Sequence, residues 1–288
     1  MSRHQLLDIM FIHNPRLPIY QRPKLYTLPG QKERARRATI VVSCMSTKGQ
    51  QDKPRKIGCY TSPHQVENQI DSLLSEIDIK VPSIPGYPGF LALLAIYIFI
   101  HEEVDVAVIE TGIGGETDST NVFRSPVVTG ITTIDLDHLG TLGSSIEEIA
   151  RHKAGIFKKG CLAFTVEQSE IVLKTLCNRA HEVQILGELK VISDQIVQDY
   201  GISVDPNMYY QRSIASLAIS LANAYLRSTG PDFVMTKALA RSVERMQLPG
   251  RCQIKADGER TWFLSVAHNE VSLKETMLWF KDVVQQPK

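Results

Sequence analysis

Long apolar runs are absent from this chain. The longest, Phe90 to Ile100, ends at His-Glu-Glu and falls well short of the roughly 20 residues that a bilayer-spanning helix needs. Membrane insertion by a helix is not expected, and the run reads as a buried helix. Cysteine is sparse: Cys44, Cys59, Cys161, Cys177 and Cys252 stand apart, with no Cys-x-x-Cys pair. That argues against a zinc ribbon or a disulfide scaffold. The odd count, without a signal-peptide pattern, favours reduced thiols in the cytoplasm. Excess charge of either sign is missing too, since 32 Lys and Arg meet 31 Asp and Glu for a net +1. A balance so close to neutral points neither to nucleic acid nor to an anionic membrane. Repeats and low-complexity tracts are also lacking.

What remains is a chain of 288 residues, 43% hydrophobic, enough for a sizeable core in one or two domains. Residues 1–38 carry several prolines, no sustained period and a basic excess from Arg3, Arg16, Arg22, Lys24, Lys32, Arg34, Arg36 and Arg37. They read as an irregular basic arm, which leaves a mitochondrial address open. Thr39–Val42 is a candidate first strand, and the prolines and glycines of 82–88 break the chain before a helix at 89–101. Strands are expected at 104–109, 127–136, 162–165 and 183–186. Helices are expected at 144–153, 167–181, 210–226 and 237–246, with Ser144 or Ser145 capping the first. Leu248-Pro-Gly-Arg251 reads as a hinge, followed by strands at 253–256 and 261–265 and a helix at 269–284. Strands alternating with helices imply an α/β fold whose ligands sit at the carboxyl ends of the strands.

Two such ends carry chemistry. Glu110 closes an apolar run and opens Glu110-Thr-Gly-Ile-Gly-Gly-Glu-Thr-Asp-Ser-Thr-Asn121. A carboxylate left there is costly unless paired or bound to a cation, so the stretch suits a metal and phosphates. A Glu that merely caps a neighbouring loop is an equal alternative. Asp135, Asp137 and His138 end the next strand, where they would complete a metal shell or orient a substrate. Lys153, at the end of a helix, by default complements the helix dipole. Thr61-Ser-Pro-His64 is by itself ordinary turn chemistry.

Together these stretches resemble the folylpolyglutamate synthases of the Mur ligase superfamily, in their fungal form. The residues carrying the resemblance are Tyr60-Thr-Ser-Pro-His64, Val104 through Val122, Ile131-Thr-Thr-Ile-Asp-Leu-Asp-His138 and Leu142-Gly143. Ile149-Ala-Arg-His-Lys-Ala-Gly-Ile-Phe-Lys158, Pro249-Gly-Arg251 and Ala267-His268 complete them. The match runs from about residue 39 to the end with gaps, and is most specific between 103 and 160. It implies a Mur ligase-like central domain at 39–248, with a mostly parallel sheet flanked by helices. Residues 249–288 would be the remnant of a smaller C-terminal α/β domain.

The resemblance also implies an activity. Such enzymes add glutamate to tetrahydrofolate: ATP phosphorylates the γ-carboxylate, the amine attacks the acyl phosphate, and an amide results. By this resemblance Glu110 and His138 bind magnesium, and Lys153 is carried as a carbamate that supplies a second metal site. Lys153 and His138 are then the catalytic groups. Thr47, Lys48, Gly49, Arg251 and His268 face the nucleotide, and Ser62 and His64 lie on the side of the folate-like or other carboxylate substrate.

The chain departs from the family where ATP should bind. The family's Gly-Thr-x-Gly-Lys-Gly-Ser loop reads Ser46-Thr-Lys-Gly-Gln-Gln-Asp52 here. Gln50 replaces the lysine, Gln51 would crowd phosphate, and Asp52 brings negative charge. Lys53 to Gly58 is too short for the helix whose N-terminus cradles phosphate. Ile214 stands for an Asn that holds adenine, Ser265 for a nucleotide-facing Asp, and Val266 for a close-approach Gly. Three further readings therefore stand beside the ligase: an ATP-independent small-molecule enzyme of fungal specialised metabolism, a non-catalytic relic, and exon boundaries set wrongly after Asp52 and Ile70.

Overall fold

The computed structural model describes residues 8–13, 57–60, 86–229, 233–245, 252–258, 260–265, 267 and 270–285. Short apolar segments build a six-stranded sheet, from β1 (Asp8–His13), β2 (Ile57–Tyr60), β3 (Val106–Glu110), β4 (Val128–Ile131), β5 (Leu162–Val166) and β6 (Lys190–Ile192). Its order is β2-β3-β1-β4-β5-β6. β2 pairs parallel with β3, and β4, β5 and β6 pair parallel in turn. β1 runs antiparallel to both β3 and β4, with Met10 opposite Ile109 on one side and Thr129 on the other. The other five strands thus share one direction, and their carboxyl ends line one edge.

Both faces of the sheet are buried. Alternation sends Val106 and Val108 into one cluster and Ala107 and Ile109 into the other, and β5 likewise sends Phe164 and Val166 one way and Ala163 the other. The first cluster is covered by α5 (Gln195–Asp199), α6 (Tyr209–Thr229) and α7 (Lys237–Glu244), through Val197, Leu217, Leu221, Tyr225, Leu239 and Val243. The second is covered by α1 (Tyr87–His101), α3 (Ile146–Lys153) and α4 (Glu170–Val183), through Leu91, Ile149 and Leu176 among others. The α6 helix lies close on β4, for a Cβ on Gly130 would come within 2.6 Å of Leu221 Cδ1. A short helix α2 (Leu139–Leu142) precedes α3. Strands β7 (Gln253–Asp257) and β8 (Arg260–Leu264) make a separate hairpin beside α8 (Glu270–Gln285). Phe263 packs edge-on to Trp279 and Phe280.

Four expectations change. The arm at 1–38 contains a strand, β1, in the middle of the sheet. Its apolar run is too short to show a period, but it supplies the backbone partners that the facing edges of β3 and β4 require. The expected strand at 127–136 ends at Ile131, beyond which Gln168 takes over. That amide accepts from Ile134 N–H and donates to the Thr132 carbonyl. The expected strand at 183–186 is absorbed partly by α4 and partly by a turn at Gln184, and the next strand is β6. The buried stripe Val172, Leu176 and Ala180 carries the helix on. Finally, α1 is not buried all round: Leu93, Tyr97 and Ile100 are 53%, 57% and 64% exposed. Apolar on every side, its sequence does not mark which face packs. The expected first strand at 39–42 and the hinge at 248–251 lie outside the described residues.

Candidate active site

Glu110 is the last residue of β3, 7% exposed, at the shared carboxyl edge. Its charge is felt on the neighbouring strand. The Cys59 thiol is pushed up to about 12, by burial first and then by Glu110. The Tyr60 phenol is pushed up by burial, then by Asp118 and Glu110. Both groups therefore stay protonated beside the carboxylates, and Tyr60 can only present an O–H to them.

The loop after Glu110 is organised by Asp118, which sequence reasoning did not single out. Its Oδ2 accepts from Ile113 N–H at 2.7 Å, and its Oδ1 accepts from Thr120 N–H at 2.9 Å and from the Thr120 hydroxyl. The loop then closes onto the end of α3. Glu116 N–H donates to the His152 carbonyl at 2.9 Å, and Asn121 Nδ2 donates to the Gly155 carbonyl at 3.2 Å. Close approach explains the glycines. A Cβ on Gly115 would fall 2.5 Å from Lys153 O, and one on Gly155 would fall 2.4 Å from Glu116 Cα. Gly114 has φ +73° and rests on the His152 ring. The glycines expected to admit phosphate are thus already accounted for by packing of the loop on the helix.

Lys153 ends α3 and is 5% exposed. Its helix starts with a reciprocal cap: Glu148 N–H donates to Ser145 Oγ, and Ser145 N–H donates to Glu148 Oε2, both at 3.2 Å. The cap expected at Ser144 or Ser145 is therefore Ser145, with Ser144 N–H also donating to Glu148 at 2.6 Å.

His138 follows β4 through the segment that Gln168 pins. It is left-handed, with φ 52° and ψ 39°, a conformation costing a non-glycine residue about 1–2 kcal/mol. Asp137 Oδ1 accepts from the His138 N–H at 2.8 Å. His138 Nε2 is buried and finds no hydrogen-bond partner, with Asp137 Oδ2 at 3.6 Å. A strained backbone holding a buried nitrogen without a partner suits a group that waits for a ligand.

Glu110, His138 and Lys153 all belong to segments at the carboxyl edge or to the helix clasped against it. Among the described residues no group of three or more His, Cys, Asp or Glu could hold a metal alone. Glu110 and His138 therefore suit magnesium only in the form this ion favours, with few protein ligands and the rest from phosphate and water. Thr47, Lys48, Gly49, Ser62, His64, Arg251 and His268 lie outside the described residues. At an altered nucleotide position, Ser265 Oγ shares a hydrogen bond with Thr276 Oγ1 at 2.8 Å, and three residues before Ile214 the buried Gln211 donates to Tyr210 Oη at 3.2 Å. Both serve internal contacts.

No protein-family model matches the chain. It is 35% identical over 258 residues to a folylpolyglutamate synthase of Neurospora crassa, covering 79% of this chain and 48% of that protein. It is 36% identical over 233 residues to a mitochondrial folylpolyglutamate synthase of Bos taurus, covering 73% of this chain and 40% of that protein. The chain thus spans about half the length, or less, of these curated relatives. Among solved structures, a folylpolyglutamate synthase in complex with AMPPCP and folate superposes with a TM-score of 0.68 at 24% identity. That match covers 88% of this chain and 70% of the other, a likeness of fold.

Proposed function

The chain belongs to the folylpolyglutamate synthase family, and from that premise we propose that it is an ATP-dependent ligase joining glutamate to a folate-like carboxylate, with a weakened nucleotide site. The observation that carries the reading is the placement of a buried Glu110 at the end of β3 and of His138, whose buried Nε2 has no hydrogen-bond partner, beyond β4, both on the side of the sheet where ligands bind. Relatives aligned over most of this chain bear that activity in their names, and a fold relative binds AMPPCP, an ATP analogue, with folate.

In this proposal Glu110 and His138 would hold magnesium, whose chemistry is to neutralise charge building on phosphoryl oxygens. Cys59 and Tyr60 stay protonated on the neighbouring strand and so add no negative charge beside Glu110. Asp137 orients His138, accepting from its backbone N–H and standing 3.6 Å from Nε2, and that nitrogen, without a hydrogen bond, would be the one offered to the ligand. Lys153 sits at the clasped helix end, where a carbamate would add a carboxylate to the site. Arg251, His268, Thr47, Lys48 and Gly49 would meet the nucleotide, and Ser62 and His64 the substrate. The hairpin β7–β8 with α8 would be what this chain has of the smaller C-terminal domain. No described helix is long and apolar enough to cross a membrane, and we place the protein in the cytoplasm or, given its basic arm, the mitochondrion.

The test is direct. Purified protein with tetrahydrofolate, glutamate and magnesium should yield a glutamylated product by mass spectrometry, only when ATP is present and only at high ATP. Product without ATP would favour the ATP-independent enzyme, to which the Gln50, Gln51 and Asp52 replacements lend support. Micromolar binding of Mg·ATP by calorimetry would overturn the weakened site.

A further inference from the structure

His152 lies between the two halves of the candidate site and touches both. Its Nδ1 is 3.2 Å from the Gly115 N–H, and its Nε2 is 3.2 Å from Thr117 Oγ1. A backbone N–H only donates, so Nδ1 must accept and the ring proton sits on Nε2, where it is given to the threonine hydroxyl. The carbonyl of the same residue accepts from Glu116 N–H at 2.9 Å. One residue therefore grips three consecutive residues of the loop, 115–117. Gly114 leaves room for the ring, since any Cβ there would fall 2.3 Å from Nδ1. From this grip the chain runs back through the loop to Glu110 and forward by a single peptide bond to Lys153.

We propose that His152 is a positioning residue: by holding Gly115 and Thr117 with its two ring nitrogens, it fixes the Glu110 loop against the helix end that carries Lys153, and so sets the divalent-cation site. The inference rests on the metal reading of Glu110 given above. His152 itself touches no reacting atom. Two other contacts strap the loop, Asn121 to Gly155 and Arg179 to Glu116, but neither holds the Gly115 N–H or the Thr117 hydroxyl. Loss of the imidazole should therefore loosen the loop locally without unfolding the sheet.

The experiment compares the full chain with His152→Ala, which loses both ring contacts, and His152→Asn, whose amide oxygen can stand where Nδ1 accepts. Hydrogen exchange read by mass spectrometry over 111–121 reports the latch. Mn2+ titration followed by electron paramagnetic resonance reports the cation site. His152→Ala should speed exchange in 111–121 by about tenfold, the usual net worth of one or two hydrogen bonds, and leave 128–131 unchanged. It should weaken Mn2+ by about tenfold, in the range seen when groups supporting metal ligands are removed. His152→Asn should recover most of both effects. Unchanged exchange in His152→Ala overturns the latch. Faster exchange with unaltered Mn2+ affinity overturns the coupling, as does an Asn variant no better than Ala. If the wild-type chain gives no Mn2+ signal, the metal reading itself fails, a result distinct from wild-type binding that the variants do not disturb.

Discussion

Glu110 and the glycines that follow it divide the labour of one loop between charge and space. Removing the charge, Glu110→Ala, should abolish divalent-cation binding, because the carboxylate is the charged ligand the cation would meet at this edge. Retained Mn2+ affinity in that variant would remove Glu110 from the metal site. Filling the space, Gly115→Ala, drives a methyl to 2.5 Å from Lys153 O and 2.9 Å from His152 O, both backbone atoms. Overpacking of this kind costs roughly 1–3 kcal/mol, read as a lower melting temperature. Gly140→Ala, whose Cβ would meet nothing within 4 Å, is the control and should melt like the parent. At this scale the sequence is legible where a residue type is conspicuous in its setting. Glu110 stands out because it ends an apolar strand, and His138 because it closes the largely apolar run that β4 begins. Asp118 and His152 do not, since their partners are backbone amides and threonine hydroxyls, in the case of His152 with an amide thirty-seven residues away, and no local pattern records them.

Helices α3 and α4 are bound to each other by charge as well as by their apolar stripes. Glu182 on α4 accepts from Arg151 on α3 at 3.0 and 3.1 Å and from Arg179 at 3.2 Å. These bonds hold its carboxyl below the usual range, with Arg151 the larger cause. The Glu148 carboxylate is likewise lowered, chiefly by the Ser144 and Ser145 N–H groups. A carboxyl whose folded pKa is depressed contributes stability above its unfolded pKa and loses that contribution as pH falls through the folded value. Stability should therefore decline once pH drops below about 4.3, the ordinary glutamate value. The decline should be shallower in Glu182→Gln, measured by urea unfolding at stepped pH. An identical pH slope in that variant would show that the pair does not act on stability. The effect is small, since both carboxyls are exposed and solvent screens them. Elements with a helical stripe, such as α6, are readable in advance to within a residue or a few. Strand β1 is not, because four apolar residues between Asp8 and His13 have no period, and only the vacancy between β3 and β4 gives them a role.

That strand makes the whole molecule depend on a segment remote in sequence from everything it touches. Deleting residues 1–13 should part β3 from β4, leaving two open edges in the middle of the sheet. The expected result is loss of a single cooperative urea transition, followed by circular dichroism; a deletion that unfolds like the full chain would deny β1 its place. Fold class is legible at this scale, because alternating strands and helices leave few α/β arrangements. The reversed central strand is not, as it breaks the right-handed parallel pattern that such alternation suggests. The packing of Phe263 against Trp279 has a further use. The chain has two tryptophans; Trp262 lies in β8 and Trp279 in α8, far along the chain from the sheet that carries Glu110. Intrinsic tryptophan emission is therefore a native dye confined to the hairpin and its helix. Any wavelength shift on adding nucleotide would come from that piece alone, without a label and without interference from the rest of the protein.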